Sequence, residues 1–112
     1  MPFKVLFLAH APDADMEKHR CVIETGVYRL FVLVVRNQQE AVSASRRFLE
    51  EEGIQSILLC PGFTHRDVSE IQEAVSGKAG VSVARGDGPS SRIARQAMEE
   101  AGWFSKRPPA RR

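Results

Sequence analysis

From residue 27 onward the chain alternates between two hydrophobic periods, and that alternation limits the folds open to it. "VYRLFVLVV" (27–35) is a nearly continuous apolar run. "NQQEAVSASRRFLEEEG" (37–53) then sets Ala41, Ala44 and Phe48 on one helical face, with Val42 and Leu49 beside them. "IQSILLC" (54–60) returns to the short apolar form, and Val68, Ile71 and Val75 form the next helical stripe. "VSVAR" (81–85) alternates like a strand near a sheet edge, and "SSRIARQAMEEAG" (90–102) carries Ile93, Ala97 and Ala101 on a third helical face. A β-α-β-α-β-α order demands crossover connections, hence a mostly parallel sheet with helices packed on it.

Punctuation supports the same reading. Asn37 with Glu40, and Thr64 with Asp67, have the spacing of helix capping boxes. Gly53, Gly77 and Gly102 stand where the helices should stop. "FKVLFLA" (3–9) adds a strand before the alternation begins, and like 27–35 it reads as buried on both faces. Residues 10–26 are ambiguous. "DADMEKHR" favours a short helix or an irregular crossover, whereas "CVIETGVYRL" also suits a hairpin turning at Thr25-Gly26; the crossover is the preferred expectation. The predicted fold is therefore a three-layer α/β sandwich over residues 1–105. It has about four mainly parallel strands in the flavodoxin-like order 2-1-3-4.

Charge is unevenly placed. The formal net charge is +2, but Lys106, Arg107, Arg111 and Arg112 lie in the last seven residues, and without them 12 basic residues face 14 acidic ones. The basic character belongs to a tail, 106–112, expected to be disordered, and no basic stripe marks the body as a nucleic-acid surface. No apolar run is long enough to span a bilayer, and the start of the chain lacks the features of a signal peptide. Cys21 and Cys60 are far apart with no CxxC spacing, which fits a reducing cytoplasm.

"EKHRCVIETG", followed by an apolar strand, then "EEGIQSILLCPGF" and "GKAGVSVAR", resembles a family of small bacterial proteins catalogued only as a domain of unknown function. The resemblance covers residues 3–85 and implies that the segment from Gly86 onward is an extension. It implies a Gly-Gly-Phe-Gly-like turn where this chain has Pro61-Gly62-Phe63-Thr64. It carries no activity and no catalytic residues.

In parallel α/β sheets, ligands bind beyond the carboxyl ends of the strands. That rule selects the loops around His10, Arg36, Cys60 to His65, and Arg85 to Ser90. The leading expectation is a small, anionic ligand met by His10, Gly62, Phe63, Thr64, Arg85 and Ser90, with backbone N–H groups of "ARGDGPSSRIA" as a second anion cradle. A structural account competes at each position. Gly62 supplies a turn other residues cannot make, Thr64 caps a helix, Phe63 covers the sheet end, and glycines 86 and 88 shape a loop.

The first rival is an enzyme. Cys60 before a helix N-terminus would act as nucleophile with His10 or His65 as base. A zinc site from the same three residues is disfavoured because no two share a local ligand spacing. The "GDGPSS" loop lacks the third glycine of a dinucleotide fingerprint, there is no GxxxxGK[ST], and the loop after the first strand lacks a flavin phosphate cradle. These gaps disfavour ATP hydrolysis and flavodoxin chemistry and leave the cofactor unknown. The second rival is a homo-oligomeric interaction module without a small-molecule site. A homodimer would close through the third helix and Trp103-Phe104.

Overall fold

The computed structural model describes residues 1–104. The expected disordered tail lies outside the described residues. Eight elements follow in order: β1 (Phe3–His10), β2 (Arg20–Glu24), β3 (Tyr28–Val35), α1 (Gln38–Glu52), β4 (Ser56–Leu59), α2 (His65–Val75), β5 (Gly80–Val83) and α3 (Gly88–Glu100). The sheet order is β2-β3-β1-β4-β5. β3, β1, β4 and β5 are parallel neighbours, and β2 joins β3 antiparallel. The protein is thus α/β with a five-strand mixed sheet, where the sequence suggested about four strands.

The added strand comes from the ambiguous segment. Residues 20–35 form the hairpin, not the crossover: Thr25 N–H donates to the Tyr28 carbonyl at 2.8 Å, and Val27 N–H to Thr25 Oγ1 at 3.3 Å. In register, Glu24 meets Arg29 across the strands, and their side chains pair at 2.9 Å. "DADMEKHR" yields only one turn. It is organised by Asp15, whose carbonyl accepts from Lys18 and His19 N–H and whose Oδ1 accepts from Glu17 N–H. A side chain that satisfies its own neighbouring backbone competes with helix propagation.

α1 and α2, the helices packed on the sheet, lie on one face, so they do not form the two outer layers of the expected three-layer sandwich. The steps β3→α1→β4 and β4→α2→β5 advance in the same direction across the sheet, so crossovers of one hand place both helices on one side. α1 and α2 accordingly touch, with Gln38 Nε2 donating to the Asp67 carbonyl at 3.1 Å. Beneath them lies the core. Leu6 and Leu8 stand in register with Phe31 and Leu33 on one side and with Ile57 and Leu59 on the other, and Phe48 of α1 meets Phe31 edge-on at 5.2 Å. The step from β1 back to β3 runs the other way. A helix there would cover the second face, but residues 11–19 contain none and β2 takes its place.

The second face is apolar and only partly covered. Val5, Phe7 and Ala9 stand in register with Leu30, Val32 and Val34, and Cys21 and Ile23 continue the rows into β2. Of these only Val5 is buried, at 5% exposure, and none belongs to the core cluster under the helices. The reading of β1 and β3 as strands buried on both faces is therefore correct in composition but not in coverage. α3 does not fill the gap: none of its residues is buried, and Ile93 is 74% exposed.

Candidate functional site

Because four strands are parallel, His10, Val35, Leu59 and Val83 end at one edge of the sheet. The ladder continues one residue past β4, where Cys60 N–H donates to the Leu8 carbonyl at 3.0 Å. Pro61 and Gly62 then reverse the chain, and Phe63 N–H closes the turn on the Cys60 carbonyl at 3.3 Å. The turn drives the Phe63 ring into the core, where it is 1% exposed. The His10 ring stacks on it, centroids 4.0 Å apart and planes 23° apart. From the loop after β5, Arg85 Nη1 donates to the Phe63 carbonyl at 2.8 Å. Three strand-end segments thus meet at Phe63.

The next residues are committed to helix initiation. Thr64 and Asp67 form a full capping box: Asp67 N–H donates to Thr64 Oγ1 at 3.1 Å, and Thr64 N–H to Asp67 Oδ2 at 3.0 Å. The Asp67 carboxylate also acts on His10. Partial burial pushes the His10 imidazole below its ordinary pKa, and the Asp67 charge opposes that shift without reversing it. His10 is thereby biased toward the neutral form, in which one ring nitrogen donates and the other accepts. On the far side of β1, Arg36 Nε donates to the Ala14 carbonyl at 3.1 Å, fixing a second guanidinium on this edge.

Gly62 has a different role from the one its position suggested. Its φ is not positive, so the turn does not require glycine. What glycine supplies is room. A β-carbon there would stand 3.4 Å from His10 Nδ1 and 3.6 Å from Cys60 Sγ, in ordinary contact with both. The imidazole and the thiol therefore flank one small space.

Of the residues singled out from sequence, His10, Cys60, Gly62, Phe63, Thr64 and Arg85 come together. Two do not join them. His65 is the exposed first residue of α2, and among the described residues no hydrogen bond or ring contact ties it to His10 or Cys60. Ser90 is exposed in the first turn of α3, whose Asp87 cap makes no side-chain hydrogen bond. In the glycine loop before it, the Ser91 side chain occupies the place a β-carbon on Gly86 would need, the mark of a closely folded turn. Among the described residues no group of three His, Cys, Asp or Glu side chains is placed to hold a metal ion. Asp67 and Arg36 are the participants that sequence reasoning undervalued. Asp67 carried only a capping signal, and Arg36 was one polar residue in a short loop.

A second concavity lies between the helices. A groove of about 490 Å³ runs between α1 and α2, lined by Gln38, Val42, Arg46, Arg47, Glu50 and Glu70 among others. It mixes both charge signs and includes neither His10 nor Cys60. No described helix is long and apolar enough to cross a membrane.

Comparison with curated proteins and with solved structures gave no match. A family model matches residues 3–99, from β1 through nearly all of α3, so α3 falls within the matched region and is not the extension the resemblance implied. The chain belongs to a family of unknown function, DUF6506.

Proposed function

We propose that this domain binds a small anionic ligand at the carboxyl edge of its parallel strands, over the His10–Phe63 stack. One observation carries the reading: Arg85 reaches from the loop after β5 to the Phe63 carbonyl, bringing a guanidinium beside the turn that holds His10. That bond uses one of five N–H donors, and a guanidinium held by its backbone contact presents the others in a fixed fork suited to carboxylate or phosphate. The neutral imidazole adds a donor and an acceptor. In the capping box the Thr64 oxygen accepts from Asp67 N–H, which orients the hydroxyl and leaves its O–H to donate to an anion. Cys21 and Cys60 are both free thiols, in keeping with a cytoplasmic setting.

Inorganic phosphate and pyrophosphate are suitable probes. Titrated into isotope-labelled protein, they should shift the His10 ring and the Gly62 and Phe63 amide resonances together. Arg85→Ala should weaken that response about tenfold, the loss of one charge-assisted contact. Shifts confined to the 106–112 tail, or no shifts at millimolar probe, would reject the site.

A second reading has its own observation. His10 Nδ1 and Cys60 Sγ both border the space above Gly62, which sets an imidazole and a thiol on either side of one small cleft; a thiol nucleophile and its base would have to close to hydrogen-bond distance there. Alkylation of Cys60 in a Cys21→Ser background, followed against pH, decides it. A rate that tracks an ordinary thiol pKa of about 8.5, or no reaction in the folded protein, leaves Cys60 as packing.

A further inference from the structure

The partly covered face of the sheet carries no charged residue. Every strand sends its acids and bases to the helix side or to its ends: Lys4 stands in register with Arg29, and Arg29 with Glu24, all on the parity of the covered face. The opposite parity is Phe7, Val32, Leu30, Leu58 and their neighbours, closing on Ser82 and Gly80 of β5. Ordinary surface faces of sheets alternate to polar residues. This one does not, and Phe3 and Ile23 on it are 50% and 53% exposed.

We infer that this face is the contact surface for a second copy of the chain, packed sheet against sheet about a two-fold axis. The chain's own α3 cannot be the whole cover. Five strands at about 4.8 Å spacing span roughly 19 Å, whereas a helix with its side chains is about 10 Å wide. The covered face accordingly takes two helices, α1 and α2. α3 is one helix, and its apolar stripe is mostly alanine: Ala94, Ala97 and Ala101 beside Ile93 and Met98. A second sheet of equal width matches the whole face. Two sheets stacked about 10 Å apart with strands nearly aligned are a standard way to fill such a layer.

Charge and area favour a copy over an unrelated partner. A two-fold axis sets a surface against itself, with residue i meeting residue j and j meeting i; a face without charge needs no opposite charge placed to receive it and is self-compatible. Each side chain on one sheet face occupies about 4.8 by 6.7 Å, so the positions here give a footprint of roughly 450 Å² per copy. Accessible area exceeds footprint on a corrugated surface, which brings two copies to the order of the ~1,200 Å² where stable interfaces begin. The resulting assembly is a four-layer α/β/β/α sandwich, and it leaves the carboxyl edge of each sheet open.

Sedimentation equilibrium on the full chain, from micromolar to hundreds of micromolar, tests this. The expected species has twice the mass of one chain. Val32→Lys, at the centre of the face, should raise the dimer dissociation constant about 100-fold or more, since each copy would bury an unpaired charge. If that variant does not fold by circular dichroism, Ile23→Lys, half-exposed at the margin of the same face, should weaken the dimer by about tenfold. Ile93→Lys on α3 should leave it unchanged. A wild-type monomer throughout the range overturns the inference. So does a dimer that survives the sheet variants or dissociates with Ile93→Lys alone, which would move the contact to α3.

Discussion

The His10 ring lies on the Phe63 ring at 4.0 Å between centroids, and that contact ties the last residue of β1 to the turn after β4. It joins a titratable group to a core side chain, so the state of the site and the stability of the fold are linked.

The first expectation is a pH dependence. Burial lowers the His10 pKa in the folded state relative to about 6.5 in the unfolded chain, so between those values the unfolded chain binds more protons. The stabilisation is complete above about pH 6.5 and is lost as pH falls through the lowered folded-state value. His10→Phe keeps a ring on Phe63 and removes the titration. Urea unfolding of wild type and variant from pH 7.5 to pH 4.5 should show a shallower acid loss in the variant. Equal slopes would mean that His10 is not the linked group.

Phe63 should be costly to truncate. It is 1% exposed within the core cluster, and Phe→Ala at such sites costs about 3–5 kcal/mol. Phe63→Leu should cost markedly less. A loss below about 1 kcal/mol for Phe63→Ala, by denaturant midpoint at constant m, would show that the turn can collapse over the gap.

Gly62→Ala separates space from conformation. With no positive φ to maintain and contacts no closer than 3.4 Å, the added methyl should change stability by less than about 1 kcal/mol. It would stand between His10 and Cys60, so alkylation of Cys60 in the Cys21→Ser background should slow several-fold. An unchanged rate would place the reagent's approach elsewhere.

The helix caps offer a matched comparison. Thr64→Ala and Asn37→Ala each remove a cap bond to a backbone N–H and should cost about 1 kcal/mol. Asp87 makes no side-chain cap bond, and Asp87→Ala should cost only a few tenths of that. Equal losses at all three positions would count against hydrogen bonding as the source of the effect.

Much of this architecture was legible in the sequence. The period change after Val35 and again after Cys60 announced crossovers, and crossovers determine that His10, Cys60 and Arg85 share an edge. Capping spacings located the starts of α1 and α2. The hairpin was harder to read. Five residues, "RCVIE", are too few for a period to declare itself, and the polar run before them resembles a helix start until Asp15 is seen to close a single turn. Coverage of the sheet was not legible at all. Apolar residues on both parities of β1 and β3 say that both faces avoid water, but not whether this chain supplies both covers. Asp67 was read for its helix cap, and its second effect on His10 depends on a distance that only folding creates.

β2 also limits how the protein can fail. A sheet margin with free N–H and C=O groups is a template for indefinite strand addition, the route to fibrils. Here that margin is five residues long and begins and ends on charge, at Arg20 and Glu24. The opposite margin, β5, is four residues long and opens on Gly80. Neither offers an incoming strand a long, flat, uncharged row to extend. A chain with so much uncovered apolar sheet is in this way steered from open-ended polymerisation toward contacts that close.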